Sequence, residues 1–219
     1  MKFILAKKES MTRLFGEDGR ARAGTLLKVD PVVVTQVKTA EGKDGYAAVQ
    51  LGIGKRKTKN ISKAVLGHTK GSGYEAIREF RLDGGPDAQM VGGPTEASAP
   101  EVGGTIDISI FKIGDVVNIS GLTKGKGFAG VVKRHGFHGG PRTHGQKHSE
   151  REPGSIGGSS GRAGGRVAKG MRMAGRMGHD RVTVKNLKVL AIDAETGEMV
   201  VSGAVPGRRG TILEVVSSK

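Results

Sequence analysis

Cysteine and tryptophan are absent from this sequence of 219 residues, and aromatic residues make up only 4% of it. Without cysteine the chain forms no disulfide and no thiolate metal site, which fits a reducing compartment. Long hydrophobic runs are missing as well. The apolar run at residues 3–6 is shorter than the ~7–15 residues of a secretory signal, and no window approaches the ~18 apolar residues of a membrane span. We therefore expect neither segment.

Acidic residues are scarce relative to basic ones. The chain has 21 aspartates and glutamates against 36 lysines and arginines, which gives a formal net charge of +15. This imbalance indicates a polyanionic partner, with nucleic acid ahead of an anionic membrane surface. The length suits one domain or slightly more.

The positive charge is concentrated in residues 121–180, which we call the basic segment. It contains 12 lysines and arginines against three acids, 17 of the 38 glycines and five of the six histidines. Large aliphatic side chains nearly vanish between residues 134 and 181, so the segment buries too little apolar surface to offset the entropy of its own ordering. We predict a long loop that orders on a polyanion and is inserted into one folded body.

Two glycine patterns in the basic segment suggest a nucleotide site. Residues 125–130 match the dinucleotide fingerprint G-x-G-x-x-G, but that fingerprint must open a helix within a βαβ unit. Residues 128–133 contain β-branched side chains and soon reach Gly136, so we predict no helix and no dinucleotide site there. Residues 121–126 lack the glycine spacing and the hydroxyl of a P-loop.

Three histidines, His138, His144 and His148, suggest a metal site. His144 and His148 would share a face only on a helix, which Pro141 and Gly145 disfavour, and no cysteine or well-placed carboxylate stands close. The serines near His148 lack the fixed scaffold of a catalytic triad. We therefore predict no metal, no cofactor and no catalytic residue. The histidines suit stacking on bases and donating to phosphates better.

Basic residues recur every three or four positions from Arg162 to Arg176. The glycines between them would each cost about 1 kcal/mol in a helix, so we predict an extended strand between phosphate backbones. Met171, Met173 and Met177 contact either base faces or the body of the protein. A second basic run at residues 55–60 is either a solvated loop or a second anion-binding site.

Outside the basic segment, short β-branched stretches alternate with turns rich in glycine, proline and aspartate. The predicted strands are 2–6, 25–29, 32–37, 46–53, 105–111, 116–119, 181–192, 199–202 and 211–216. Residues 61–67 fit one or two helical turns, residues 74–82 fit either a short helix or an edge strand, and residues 83–104 fit a loop. This pattern indicates a β-barrel or sandwich, and the strands flanking the basic segment are predicted to belong to the same barrel.

Several stretches, in order along the chain, carry a family resemblance. They are residues 44–50, 110–115, 125–145 (GKGFAGVVKRHGFHGGPRTHG), 153–157, 173–178, 181–187 and 203–207. Together they resemble the L-three family of large-subunit ribosomal proteins in its bacterial form, and the match covers nearly the whole chain.

The resemblance implies a mainly β fold with little helix. It implies a six-stranded closed β-barrel of the translation-protein type, formed by residues 1–120 and 181–219 of a single domain, with residues 121–180 as a long internal loop. It also implies primary binding to 23S rRNA near its 3′ end, early nucleation of 50S assembly and a loop tip that approaches the peptidyl-transferase centre. Proteins of the L-fourteen and L-nineteen families are the implied neighbours in the cytoplasmic ribosome. No membrane, enzymatic activity or homo-oligomer is expected.

The predicted rRNA contacts combine the cations of both basic runs with rings that can stack. They are Lys55, Arg56, Lys57, Lys59, Lys124, Lys126, Lys133, Arg134, His135, Phe137, His138, Arg142, His144, Lys147, His148, Arg151, Arg162, Arg166, Lys169, Arg172 and Arg176. Residues 146–158 are expected to lie farthest from the barrel.

The sequence departs from the family pattern in three places. Ser10 replaces the glycine of the family's Lys-x-Gly-Met-Thr, and residues 83–102 are longer and more acidic than expected. Gly158 stands where some bacterial members carry a methylated glutamine, so this modification is not expected. A non-ribosomal RNA-binding module, such as an RNA chaperone, is the second hypothesis. A dinucleotide- or metal-dependent enzyme is the third.

Overall fold

The computed structural model describes residues 1–16, 19–82, 101–157 and 167–218. This part of the chain is mainly β with little helix, as predicted. Its helices are α1 (Lys63–His68) and α2 (Val131–His135), with 3-10 turns at Thr58–Asn60 and Ile108–Ile110. Its strands are β1 (Phe3–Phe15), β2 (Ala21–Lys28), β3 (Val32–Lys38), β4 (Ala48–Ile53), β5 (Ala76–Arg81), β6 (Thr105–Ile106), β7 (Val116–Leu122), β8 (Phe128–Ala129), β9 (Gly175–Arg176), β10 (Arg181–Asp193), β11 (Glu198–Ser202) and β12 (Ile212–Ser217).

Six strands pair in a closed ring in the order β1–β12–β7–β10–β11–β2, with β2 pairing again with β1. Every pairing in the ring is antiparallel. Strands β7 and β10 flank the basic segment in sequence, and Leu122 lies opposite Arg181 where the two strands meet. The two flanking strands therefore lie in one sheet.

A second sheet has four strands in the order β5–β4–β3–β6, and the sequence pattern did not distinguish it from the ring. The ambiguous segment 74–82 contains its edge strand, β5. The predicted strand at 105–111 is wrong beyond Ile106, because residues 108–110 form a 3-10 turn. That turn places Ile108 and Phe111, which are 5% and 3% exposed, in the core. A three-residue period thus buries side chains that alternation had assigned to a strand.

One hydrophobic cluster joins the ring to the four-stranded sheet. Phe3 of β1 stacks on Phe80 of β5 with ring centroids 4.7 Å apart. Leu213 and Ile119 from the ring, and Leu51 from the sheet, belong to the same cluster and are fully buried. Burial of each such side chain contributes about 1.5–3 kcal/mol, so this cluster holds the two sheets in one compact unit.

The chain divides into two compact units. The first is Met1–Leu122 together with Arg181–Lys219, and the second, which we call the basic unit, is Thr123–Asp180. In the basic unit, α2 follows Gly130 directly, so the prediction of no helix after the glycine pattern is wrong. Tertiary packing offsets the weak helix propensity of the valines, since Val131 is only 3% exposed. The helix ends after five residues at Gly136, which is left-handed at φ +73°.

Candidate nucleic-acid interface

The basic unit begins and ends in two chain segments that lie side by side. The Thr123 amide donates to the Asp180 carbonyl at 2.9 Å, and the Lys126 amide donates to the Met177 carbonyl at 2.9 Å. Strands β8 and β9 continue this pairing, with Phe128 opposite Arg176. Lys124, Lys126 and Arg176 are all exposed here. The pairing therefore presents predicted RNA contacts on a backbone that is already fixed.

Helix α2 is tied to the chain that precedes β9. The Arg134 guanidinium donates to the Met173 carbonyl at 2.7 Å, and His135 Nε2 lies 3.0 Å from the same oxygen. Both side chains were predicted to contact RNA. In the structure, a guanidinium nitrogen of Arg134 and a ring nitrogen of His135 contact the backbone of Met173. Lys133, on the same helix, is exposed.

Residues 137–157 form a turn-rich segment whose two arms meet through the backbone. The Gly140 amide donates to the Glu150 carbonyl at 2.9 Å, and Arg142 Nε lies 2.5 Å from Glu150 Oε1. His144 adopts a left-handed backbone at φ +62°, and no helix forms between it and His148. Exposed side chains of this segment include His138, His144, Lys147, His148 and Arg151.

Five predicted contacts of the basic unit remain to be placed. Arg162 and Arg166 lie outside the described residues. Lys169 and Arg172 are exposed, whereas Phe137 is half-buried. Sequence reasoning missed Phe128, whose ring is 82% exposed. An aromatic residue among glycines and lysines was the signal that could have identified it.

The second basic run belongs to the connection between β4 and β5. Residues 54–74 contain six lysines and arginines and no acidic residue. Because the predicted basic run ended at residue 60, it left out Lys63 and Lys70. The connection is closed by the Arg56 amide, which donates to the Gly73 carbonyl at 3.0 Å. The buried hydroxyl of Thr69 donates to the Val65 carbonyl at 3.0 Å. Lys55, Arg56, Lys57 and Lys59 are exposed on this closed loop.

Sequence reasoning also missed Arg208 and Arg209, on the turn between β11 and β12. The Lys8 ammonium donates to the Val205 carbonyl at 2.8 Å and to the Gly207 carbonyl at 3.1 Å, which holds the turn closed. Arg208 and Arg209 are exposed on it. A pair of adjacent arginines within a glycine-bounded turn was the available signal.

Ion pairing divides the cations into two groups. In the four-stranded sheet, Lys38 contacts the Tyr46 hydroxyl at 3.0 Å and the Glu79 carboxylate at 2.9 Å. Its hydrogen bonds to Tyr46 and to Glu79 raise the pKa of Lys38, and the bond to Lys38 lowers the pKa of Glu79. Within the described residues of the basic unit, Arg142 is the one cation held in an ion pair. The other described cations of this unit form no ion pair within the protein, although Arg134 donates to the Met173 carbonyl.

The described residues contain neither a grouped set of metal ligands nor a long apolar helix. Among them, no group of three or more histidines, aspartates and glutamates is arranged to hold a metal ion. None of the described helices is long and apolar enough to cross a membrane.

Comparison with known proteins gives a consistent result. The family model described as Ribosomal protein L3 matches residues 28–204. The large ribosomal subunit protein uL3 of Herpetosiphon aurantiacus is 46% identical over 97% of this chain and 94% of its own length. The proteins of the same name from Chlorobium phaeobacteroides and Dehalococcoides mccartyi are 47% and 48% identical, over 99% and 96% of this chain and 98% and 95% of their own lengths.

Proposed function

We propose that this chain, which belongs to the ribosomal protein L3 family, is a structural constituent of the large ribosomal subunit that binds 23S rRNA near its 3′ end. The observation that carries this proposal is the basic unit. It presents cations on a hydrogen-bonded backbone, and only Arg142 among its described cations is neutralised within the protein. Such a surface is expected of a protein whose counter-charges belong to its partner.

The proposed mechanism is electrostatic docking with ring stacking, and it requires no catalytic step. Lysines and arginines of the basic unit replace counterions condensed on closely packed phosphates. Glycine lets the backbone lie against RNA without a Cβ clash, and exposed rings such as Phe128 and His138 stack on unpaired bases. Phosphate contacts fix the position of the protein, while contacts to bases add specificity.

In this proposal the ring of six strands is the folded support that carries the basic unit. We take it to be a β-barrel of the translation-protein type, with residues 121–180 as its rRNA-binding insertion. Strands β7 and β10 pair at Leu122 and Arg181, so the insertion leaves and re-enters the ring at neighbouring positions. The connection 54–74 is a second rRNA contact, because six cations without an acid repel one another unless an anion lies between them.

Finer parts of the proposal rest on family membership. The protein would bind early, nucleate 50S assembly in the cytoplasm and extend residues 146–158 toward the peptidyl-transferase centre. Members of the L-fourteen and L-nineteen families would be its protein neighbours.

The proposal is tested by binding of the purified chain to a transcript of the 3′ domain of 23S rRNA, with bulk tRNA as competitor. We expect the rRNA domain to remain bound when tRNA is present in large excess. The affinity of a nucleic-acid-binding protein for its specific site typically exceeds its affinity for other sites by about a thousandfold or more. Equal competition by tRNA would contradict rRNA specificity and favour the RNA-chaperone hypothesis.

A further inference from the structure

The basic unit contains an open cavity that phosphate binding does not explain. Its volume is about 600 Å³, and its walls come from α2, from residues 136–140, from residues 146–154 and from Arg172. This volume lies within the range of about 300–1,000 Å³ typical of small-molecule sites. A phosphate backbone lies along a surface, whereas a cavity of this size accepts a group that projects from it.

The cavity wall is built from backbone contacts and from one anchored imidazole. A Cβ on Gly139 would lie 2.1 Å from the Glu150 carbonyl oxygen, so the two arms approach each other at a distance only glycine permits. His135 is held by its contact with the Met173 carbonyl at 3.0 Å. The ring of Phe137 lies 6.0 Å from that of His135, at 44° to it. These rings give the cavity flat, half-buried surfaces of the kind on which bases stack.

Two opposite charges line the cavity without pairing to each other. Neither the Glu152 carboxylate nor the Arg172 guanidinium hydrogen-bonds or ion-pairs with another described residue, although both line the wall. A carboxylate in a phosphate-binding unit weakens general electrostatic attraction. It gains a role if it accepts hydrogen bonds from the group that enters the cavity.

From this lining we infer that the cavity receives an unpaired guanine base of the bound RNA. A carboxylate only accepts hydrogen bonds, and guanine is the base whose Watson–Crick edge carries two adjacent donors, N1–H and N2–H. Glu152 accepts both, one of the two tilted rings of His135 and Phe137 stacks on the base, and Arg172 contacts the adjoining phosphate. This inference rests on the proposed RNA-binding function and adds a base preference to it.

The test is kethoxal probing, which modifies guanine at N1 and N2, of the 3′-domain transcript alone and in complex with the full chain. We expect the wild-type protein to protect one or a few unpaired guanines. Glu152→Gln, which keeps the shape of the side chain, should restore their reactivity by roughly fivefold or more, because it loses an acceptor and faces the base with a donor. Glu195→Gln is the matched control, since it removes one exposed carboxylate from the β10–β11 turn.

The direction of the effect separates base recognition from general charge. Neutralising a carboxylate near RNA should strengthen binding if charge alone matters, so loss of protection in Glu152→Gln with no loss in Glu195→Gln supports the cavity. Inosine at the protected position lacks the N2 amine. It should weaken wild-type binding and leave Glu152→Gln binding unchanged.

The experiment distinguishes an error in the guanine site from an error in the proposed function. If the wild-type chain shows no preference for the rRNA domain, both are overturned. If the preference is present and both glutamate variants protect the same guanines as the wild type, the guanine site is overturned and the proposed function stands.

Discussion

Among single residues, the glycines of the basic unit differ in what their missing side chain permits. Gly139 and Gly178 are left-handed at φ +80° and +75°, and a Cβ on either would lie 2.1 or 2.2 Å from a backbone oxygen of the facing segment. Gly145 is left-handed at φ +82° but has nothing within 4 Å. The many glycines of the sequence predict close approaches between backbone segments. Which glycines lie at such an approach cannot be predicted, because it depends on which segment faces each glycine in the fold.

Gly139→Ala therefore tests whether close approach holds the two arms of residues 137–157 together. The left-handed conformation alone costs about 1–3 kcal/mol, and the clash with Glu150 adds to it. We expect exchange of the Gly140 amide, which donates to the Glu150 carbonyl, to become at least about tenfold faster. Gly145→Ala is the control, with the same backbone strain and no clash. Equal acceleration in the two variants would show that the approach at Gly139 is unimportant.

At the level of elements, charged side chains and Tyr46 cross-link strands β3 and β5 of the four-stranded sheet. Lys38 of β3 contacts Glu79 of β5 at 2.9 Å, and the Tyr46 hydroxyl donates to Glu79 at 2.8 Å. The Tyr46 ring lies beneath Lys38 and Arg81, at 5.0 and 4.3 Å from its centroid. This cluster fixes an edge strand that the sequence left undecided between helix and strand.

The free energy of unfolding should depend on pH through Glu79. Its hydrogen bond to Lys38 lowers its pKa in the folded state, so it binds a proton more weakly there than when unfolded, at about 4.3. Its contribution to stability is present above that value and is lost as the pH falls through the lower folded pKa. We expect the stability difference between wild type and Glu79→Gln to shrink as the pH is lowered from about 7 to about 3. Urea unfolding measures it, with exposed Glu41→Gln as control. A difference that stays constant with pH would contradict this role.

The elements also show where sequence reasoning succeeds and fails. The strand prediction at 181–192 is confirmed in β10 because β-branched residues recur there without glycine. The strand at 105–111 and the absence of a helix after Gly130 are wrong, since packing of Ile108, Phe111 and Val131 decided both. Local sequence patterns therefore predict long strands, whereas the conformation of short segments depends on how their side chains pack in the core.

For the whole molecule, the charge distribution indicates the kind of partner. The net charge of +15 and its concentration in residues 121–180 predict a polyanion-binding unit. The cavity beside Glu152 was not predictable, because its walls join residues up to 37 positions apart in sequence. Nor did the sequence show that Arg134 and His135 hold Met173, since carbonyl partners leave no signature in composition.

Docking of the basic unit on rRNA phosphates is tested most directly by the salt dependence of binding. Affinity for the 3′-domain transcript is measured between about 50 and 200 mM salt, where six or more phosphate contacts predict a loss of roughly a thousandfold or more. Lys126→Gln with Lys133→Gln should lower the slope of log affinity against log salt by about 1.4–1.8, which corresponds to two lost contacts. Lys43→Gln with Lys112→Gln, which removes two exposed lysines of the other unit, should leave the slope unchanged. Equal slopes for the wild type and the Lys126/Lys133 variant, or an equal decrease in the control, would contradict docking through the basic unit.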